Sequence, residues 1–181
     1  MLVAVELVRY EVDGWGIGEL VHDGSRLLYL DHPRPRAETN SNGPQGIPEI
    51  PVIRLSRKSV RVRDGFVPNV LGLVGDYFSG KRVRFDGVQL DLDWCTPFQR
   101  ALVDAARSVP RGETIAYGEL AALAGRPDAA RAAGTFCAEN RYGLVVPCHR
   151  VVAADGLGSY GSLGLEYKRR LLELEGADAA L

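Results

Sequence analysis

The sequence predicts an α+β protein with two domains, a β-rich domain over residues 1–95 and an α-helical domain over residues 96–181. Two observations support this prediction. Apolar and polar residues alternate over residues 1–31, a pattern typical of half-buried strands. From Thr96 onward, apolar residues recur at helical spacing instead. A chain of 181 residues is long enough for one large domain or two small ones.

Turn residues divide the β-rich part into its elements. Asp13-Gly14 and Asp23-Gly24 separate three strand-like segments, so we expect a meander of antiparallel hairpins. Residues 33–51 are rich in Pro, Gly and Asn and predict a loop. Three further segments complete the domain: a strand over 52–63, a helix within 67–82 that Gly80 ends, and an extended segment over 82–94.

Four helices are predicted after residue 95. Thr96 followed by Pro97 is typical of a helix start, and apolar residues then keep helical spacing to Val109. YGELAALAG and DAARAAGTFCAEN predict two short helices joined by a tight turn in which Asp128 caps the second helix. This pair fits a helix-turn-helix. EYKRRLLELEG predicts a last amphipathic helix that stops at Gly176.

Composition and charge restrict the class of protein. The net charge of −1 argues against the strongly basic surface of a general nucleic-acid coat, but it allows a compact DNA site with few phosphate contacts. The N-terminal segment is too charged for a signal peptide, and no apolar run is long enough to span a bilayer. We therefore expect a cytoplasmic protein without a membrane partner.

Cysteine is scarce, with Cys95, Cys137 and Cys148 as the whole supply. The odd number and the absence of CxxC spacing predict neither a disulfide framework nor a thiolate zinc site. In a reducing compartment, a thiol would therefore remain available for chemistry.

The segment LVVPCHRVV places Cys148 beside His149 between two aliphatic runs. This pair is either a buried structural pair or a reaction centre, and the polar neighbours of Cys148 favour the second reading. A thiol reacts as the thiolate, and its ordinary pKa of about 8.5 means that a base must take the proton. Neighbouring residues on a helix point about 100° apart, so a bridging water is expected between Cys148 and His149 rather than a direct hydrogen bond.

A base of this kind needs a carboxylate on its second nitrogen. Four carboxylates are candidates: Glu139, Asp155, Glu173 and Glu175. The first two lie in polar segments and are expected to be solvated. Glu175 precedes the stop glycine of an otherwise apolar helix, where a side chain can turn back into the fold, so it is favoured among alternatives that remain open.

Several segments together resemble the O6-alkylguanine-DNA alkyltransferase family, the methylated-DNA–protein-cysteine methyltransferases. These are TPFQRAL, PRGETIAYGELAALAG, ARAAG, Asn140, VVPCHRVVAADG and KRRLLELEG, which span residues 96–176 in the family's order. The likeness is weaker in WGIGELVHDGSRLLYL and LVGDYFSGKR, which are similar to the family's N-terminal domain. The resemblance implies a ribonuclease-H-like N-terminal domain and a C-terminal helix-turn-helix domain that binds DNA and accepts the alkyl group.

The resemblance also implies a chemistry and its catalytic residues. Cys148 would attack the alkyl carbon on guanine O6, or on thymine O4, and keep it as a thioether in a single turnover. His149 would be the base, acting through water and oriented by Glu175. Asn140 would brace the turn that carries the cysteine. Tyr117 would contact a phosphate and donate a hydrogen bond to the purine as O6 leaves.

Further residues follow from the resemblance as DNA and base contacts. Arg131 would enter the base stack in place of the extruded nucleotide, which offsets part of the unstacking cost. The small residues beside it would let their helix enter the minor groove. The DNA-contacting set is Tyr117, Arg126, Arg131, Ala132, Ala133 and Gly134. The base-pocket set is Cys137, Val151 and Tyr160.

The implied partner is double-stranded DNA that contains O6-alkylguanine, bound by a monomer without a cofactor. The N-terminal half lacks the cysteine and histidine cluster that gives some family members a structural zinc, so we expect no metal. The chain differs from the family at Arg141-Tyr142, where proline is frequent, and in YGSLGLEY, which replaces a more glycine-rich loop. These differences concern the shape of the pocket.

Three alternatives to this function remain. A protein of the same fold could bind alkylated bases without transfer, although such relatives lack the cysteine. A thiol hydrolase could use Cys148 and His149 with turnover. A helix-turn-helix regulator would bind a specific DNA sequence independently of Cys148.

Overall fold

The structure, a computed structural model, describes residues 5–35, 52–55 and 65–177. It is a mixed α+β protein, which confirms the predicted class. The chain divides into two compact units, Met1–Asp91 and Leu92–Leu181. Among the described residues, the first unit contains a four-stranded sheet and one helix, and the second contains four helices and a pair of two-residue strands.

The sheet of the first unit has the order β3-β2-β1-β4. Its strands are β1 (Glu6–Val12), β2 (Gly16–His22), β3 (Leu27–Leu30) and β4 (Val52–Leu55). Neighbouring strands in β1–β3 are antiparallel, which confirms the predicted meander, and β4 lies parallel to β1. Tyr10 and Leu20 are fully buried on the inner face.

Helix α1 (Phe66–Phe78) completes the first unit. Helical spacing in the sequence predicts one apolar side made of Val70, Leu73, Val74, Tyr77 and Phe78. All of these are buried except Leu73, which is half-buried, and Leu71 is buried in addition. Gly80 follows the helix at a φ of 87°, in the left-handed region that glycine tolerates best.

Two predictions for the first unit are only partly confirmed. The segment predicted to be extended over 82–94 is interrupted by a turn at Phe85–Val88 and makes one bridge, between Leu90 and Leu27. The predicted loop 33–51 begins too early, because Arg34 exchanges two backbone hydrogen bonds with Ile17 and continues beside β2. Residues 36–51 of that loop, and 56–63 of the predicted strand, lie outside the described residues.

Among its described residues, the second unit contains four α-helices and two short strands, in the order helix, strand, helix, helix, strand, helix, together with two 3₁₀ turns. The helices and strands are α2 (Pro97–Ser108), β5 (Ile115–Ala116), α3 (Tyr117–Leu123), α4 (Ala130–Ala138), β6 (Val151–Val152) and α5 (Gly164–Glu175). None of the helices in the described ranges is long and apolar enough to cross a membrane.

The predicted start of α2 is confirmed, and the predicted cap of α4 is not. The Gln99 amide donates to Thr96 Oγ1 at 3.3 Å, and the Thr96 amide donates to Gln99 Oε1 at 2.9 Å, which forms a capping box. In α4 the N-cap is Ala129, one residue after Asp128, and no side chain caps it. The reason is the turn before it, in which the Ala129 amide bonds to the Arg126 carbonyl and so delays the helix by a residue.

The short strands β5 and β6 connect two parts of the second unit, the start of α3 and the Cys148–Arg150 turn. They pair in parallel, with Ile115 opposite Val151 and Ala116 opposite Val152. Tyr117 follows β5 directly, and the Cys148–Arg150 turn precedes β6 directly. Two residues of pairing therefore bring the start of α3 next to the cysteine turn, although those residues are far apart in the sequence.

Candidate active site

Cys148 opens a 3₁₀ turn, Cys148–Arg150, at the end of a buried apolar segment. Its amide donates to the Val146 carbonyl at 2.8 Å. Cys148 is 4% exposed and His149 is 0% exposed. The aliphatic residues on both sides therefore hold the thiol and the imidazole in a dry and fixed environment.

Asn140 closes the turn that leads to the cysteine. Its Nδ2 donates to the Val146 carbonyl at 2.8 Å, and its Oδ1 accepts from the Tyr142 amide at 2.9 Å. Leu144, inside this turn, has a φ of 66°. A non-glycine residue in the left-handed region costs roughly 1–2 kcal/mol, so the turn needs such bracing.

Glu175 is the carboxylate that reaches His149. Its Oε1 lies 2.8 Å from His149 Nε2, and both side chains are fully buried. Arg150 donates to both carboxylate oxygens of Glu175 at 2.9 Å, and its third contact is the Val109 carbonyl at 2.6 Å. The Gly112 amide donates to Glu175 Oε2 at 3.3 Å.

The protonation states follow from burial and these contacts. Burial by itself raises the pKa of Glu175, but the hydrogen bonds and charges of His149 and Arg150 outweigh it and hold that pKa well below its usual value. Burial lowers the pKa of His149, against the opposing effect of Glu175. A neutral imidazole that donates Nε2–H to the carboxylate carries its lone pair on Nδ1.

The thiol of Cys148 is protonated in the resting site. A hydrogen bond with Cys137 and burial both raise its pKa well above the ordinary value, while Lys168 and Asn140 act in the opposite direction. A thiol beside a neutral imidazole can lose its proton as it reacts. Cys148 and His149 can therefore form the thiolate nucleophile during the reaction, rather than hold a permanent thiolate.

Lys168 is a site residue that the sequence did not reveal. It is 0% exposed, and its Nζ donates to the carbonyls of Val151 and Leu157 at 2.6 and 2.5 Å, with Ser159 at 3.4 Å. Burial lowers its pKa to about 8. The available signal was its spacing, because Lys168 stands seven residues before Glu175 on the helix face of the buried leucines.

Tyr117 lies half-buried beside the same loop. Burial raises the pKa of Tyr117, and hydrogen bonding to Ser159 acts in the opposite direction. A Cβ on Gly158 would come within 3.1 Å of Tyr117 Cε2, and Gly158 has a φ of 75°. Only glycine therefore fits at residue 158 with the tyrosine in this position. A Cβ on Gly134 of α4 would lie 3.9 Å from the Tyr117 ring, an ordinary contact.

The predicted site residues fall into two groups, one around the cysteine turn and one mostly on the surface of α3, α4 and the turn between them. The structure brings six of them together around the cysteine turn: Tyr117, Cys137, Asn140, Cys148, His149 and Glu175. Val151 is also buried there, and its carbonyl accepts from Lys168. Tyr160 stacks on Tyr167 at 6.5 Å between ring centroids.

The predicted DNA-contacting residues lie mostly on the surface of α3, α4 and the turn between them. Arg131 and Ala132 are exposed, Gly134 is half-buried, and Ala133 is buried. Arg126 is exposed, with its guanidinium 4.9 Å from the centroid of the Phe98 ring. Within the described ranges, no group of three or more His, Cys, Asp or Glu side chains could hold a metal ion.

Comparison with known proteins gives a consistent result. Residues 97–177 match the family model described as 6-O-methylguanine DNA methyltransferase, DNA binding domain. A protein of Methanopyrus kandleri named methylated-DNA–protein-cysteine methyltransferase is 45% identical over 101 residues, which cover 56% of this chain and 74% of that protein. A protein of the same name from Methanothermobacter thermautotrophicus is 39% identical over 110 residues, 61% of each chain.

Similarity to a solved structure extends over more of the chain. The crystal structure of Mycobacterium tuberculosis OGT in complex with DNA is 33% identical, with a TM-score of 0.67. That alignment covers 96% of this chain and 95% of that one. By sequence alone, the chain spans about three fifths of the length of the Methanothermobacter relative.

Proposed function

Because the chain belongs to the methylated-DNA–protein-cysteine methyltransferase family, we propose that it repairs DNA by transferring an alkyl group from O6-alkylguanine to its own Cys148. The observation that carries this proposal is the buried Cys148 turn beside the His149–Glu175 pair. Because a thioether is not hydrolysed by these groups, each molecule acts once.

In the proposed step, the sulfur of Cys148 attacks the alkyl carbon, an S–C bond forms and the C–O6 bond breaks. The thiol proton passes through a water to Nδ1 of His149, and Glu175 stabilises the resulting imidazolium. Tyr117 donates a hydrogen bond to the purine as negative charge develops on it. The raised pKa of the tyrosine supports this role, because the hydroxyl keeps its proton at neutral pH. Asn140 and Lys168 hold the segments on either side of the thiol.

DNA binding is proposed to use α3 and α4 as a helix-turn-helix. The two helices are joined by residues 124–129, where the Arg126 amide bonds to the Ala121 carbonyl and Gly125 has a φ of 83°. Exposure of Arg131 on α4 supports its proposed insertion into the base stack. The near-neutral net charge suits a site that relies on few phosphate contacts. The lesion would be reached by extruding its nucleotide.

We also propose a fold for the first unit, an oligomeric state and a cellular location. The sheet order β3-β2-β1-β4, with β4 parallel to β1, supports a ribonuclease-H-like N-terminal domain. We expect a cytoplasmic monomer that needs neither metal nor cofactor. All three cysteines lie in the described ranges and none is in a disulfide, which suits a reducing compartment.

Intact-mass spectrometry tests the proposal. Incubation with a duplex that contains O6-methylguanine should add one methyl, about 14 Da, to the peptide with Cys148, and product should never exceed protein. Cys148→Ser should abolish the mass gain, and Cys95→Ser should keep it.

Other outcomes would overturn the proposal. Product in excess over protein without a mass gain would indicate a thiol hydrolase. Binding to the lesion without a mass gain would indicate a non-transferring protein. Sequence-specific binding without lesion preference, unchanged in Cys148→Ser, would indicate a regulator.

A further inference from the structure

Trp94, which lies just before α2, contacts the segment that leads to Cys148. We call residues 140–146 the Asn140 turn. Trp94 Nε1 donates to the Tyr142 hydroxyl at 3.1 Å, and the two ring centroids lie 6.4 Å apart. The guanidinium of Arg141 lies over the Trp94 ring, 4.3 Å from its centroid. The indole therefore contacts two consecutive residues of the Asn140 turn, one over its face and one at its edge.

Tyr142 connects this tryptophan to the cysteine through the backbone. Its carbonyl accepts from the Val146 amide at 2.8 Å, and the Val146 carbonyl accepts from the Cys148 amide at 2.8 Å. The amide of Tyr142 donates to Asn140 Oδ1 at 2.9 Å. Three hydrogen bonds in series therefore lead from the Trp94 indole to the main chain of Cys148.

The Asn140 turn needs to be held because part of its backbone is strained. Leu144 has a φ of 66°, which residues other than glycine rarely adopt. Neither Arg141 nor Tyr142 is a proline, which would fix the chain, and Gly143 adds backbone freedom. Tyr142 is 1% exposed, so its ring and hydroxyl are fixed inside the fold. Contact with Trp94 supplies the stiffness that the backbone of this segment lacks.

We propose that Trp94 and Tyr142 are positioning residues for the transfer reaction. Their hydrogen bond fixes the Asn140 turn and thereby the direction in which the Cys148 sulfur meets the alkyl carbon. This inference rests on the proposed function, because it concerns the same reaction. Displacement of a reacting atom by about 1 Å can slow a reaction by about 100-fold, so loss of one link in the turn should slow transfer at least about fivefold.

Tyr142→Phe tests the inference with the smallest change. It removes the hydroxyl that accepts from Trp94 and keeps the buried ring. Single-turnover rates are measured at rising concentrations of a duplex that contains O6-methylguanine. The maximal rate should fall at least about fivefold, and the DNA concentration at half-maximal rate should stay within about twofold of wild type.

Tyr10→Phe is the matched control for this variant. Tyr10, in β1, is fully buried, and its hydroxyl donates to the Asp31 carbonyl. Each variant loses one buried tyrosine hydroxyl, so urea unfolding should show similar losses of stability. Tyr10→Phe should nevertheless transfer at the wild-type rate, because it leaves the Asn140 turn intact.

A double-mutant cycle tests whether Trp94 and Tyr142 act through the same bond. Trp94→Phe removes the indole donor and should slow transfer at least as much as Tyr142→Phe. Because both single variants break the same link, the double variant should be no more than about twofold slower than Trp94→Phe alone.

Hydrogen exchange measures the mobility of the turn without a lesion substrate. Amides in peptides that cover residues 142–148 should exchange at least about tenfold faster in Tyr142→Phe than in Tyr10→Phe. Wild-type protein should exchange as slowly as the control in these peptides.

Four outcomes would overturn the inference: a wild-type maximal rate in Tyr142→Phe, equal slowing in Tyr10→Phe, single losses that multiply in the double variant, or unchanged exchange over residues 142–148. A wild-type protein that transfers nothing counts against the proposed function alone. The exchange experiment still tests the link between Trp94 and the Asn140 turn in that case.

Discussion

Glu175 is the residue on which the geometry of the site depends most. It accepts from His149 and Arg150, and the Gly112 amide also points at it. A buried carboxylate is stable only when such donors surround it, and each donor is in turn fixed by the negative charge. Glu175 therefore orients the imidazole of His149, and the hydrogen bonds to its carboxylate at the same time fix the end of α5.

Replacing Glu175 by Gln should separate these effects from DNA binding. The amide keeps the shape but removes the charge, so the imidazolium that forms during transfer is no longer stabilised. We expect transfer to slow at least about tenfold and the free energy of unfolding to fall by about 3 kcal/mol. Single-turnover kinetics and urea unfolding measure the two changes.

Glu173→Gln is the matched control for this variant. Glu173 is exposed on the same helix, so its replacement should change neither the transfer rate nor the stability appreciably. DNA affinity should be unchanged in both variants. A Glu175→Gln protein with the wild-type transfer rate would remove Glu175 from the mechanism.

His149 should make the stability of the protein depend on pH. Its pKa is lowered in the folded state, mainly by burial, so the unfolded chain binds a proton at this residue that the folded protein does not. The free energy of unfolding should therefore fall as the pH is lowered from about 7 to 5, through the ordinary histidine pKa of about 6.5. The lowered pKa of Glu175 adds a further loss below about pH 4.3.

Urea unfolding across this pH range tests the assignment to His149. His149→Gln should have a flatter profile between about pH 7 and 5, although it is less stable at every pH. An equally steep profile in the variant would assign the dependence to groups other than His149.

Among the elements, α4 combines packing with the proposed contact to DNA. Its buried residues are Ala133 and Phe136, and its exposed side carries Arg131. Gly134 lies between these two surfaces. A methyl there would meet only the Tyr117 ring, at 3.9 Å, so it would neither clash nor leave a void.

Gly134→Ala should therefore affect stability and DNA binding in opposite directions. Alanine is favoured over glycine inside a helix, so the free energy of unfolding should rise by about 0.5–1 kcal/mol. Affinity for duplex DNA should fall about threefold or more if this face enters the minor groove, where an added methyl costs contact. Urea unfolding and fluorescence anisotropy measure the two quantities.

Gly118→Ala, on α3, is the comparison variant, because the methyl group that it adds would lie in open space. It should leave DNA affinity within about twofold of wild type, because nothing assigns that position to the groove. If Gly134→Ala bound DNA as tightly as wild type, the proposed insertion of α4 would be wrong.

At the scale of the whole molecule, charge limits how DNA can be bound. Acidic and basic residues nearly balance, 23 against 22, so broad electrostatic attraction is weak. We expect the logarithm of the binding constant to fall with the logarithm of salt at a slope of about −2 to −4, as for two to four phosphate contacts.

Anisotropy titrations between about 50 and 200 mM salt measure this slope. Arg126→Gln should reduce its magnitude by about 1, and Arg84→Gln, in the first unit, should leave it unchanged. A slope as steep as about −8 would require many phosphate contacts and contradict the proposed compact site.

The sequence by itself predicted the α+β class, the meander β1–β3, the start of α2, and a cysteine–histidine centre with Glu175 as the favoured carboxylate. These features rest on local patterns: alternation, capping residues and helix-end positions. It did not predict Lys168, because a lysine in an amphipathic helix normally points to water.

Tertiary structure decided which residues meet. The two-residue pairing of β5 with β6 brings Tyr117 to the cysteine turn, and the docking of α5 buries Lys168 among three carbonyls. Segment 82–94 shows the same limit, because it is predicted as one extended segment, whereas a turn interrupts it in the structure and leaves a single bridge. Periodicity and capping are properties of consecutive residues and can be read from the chain. Burial and contact between distant residues arise only when the elements pack, and here they set the protonation of the thiol and its base.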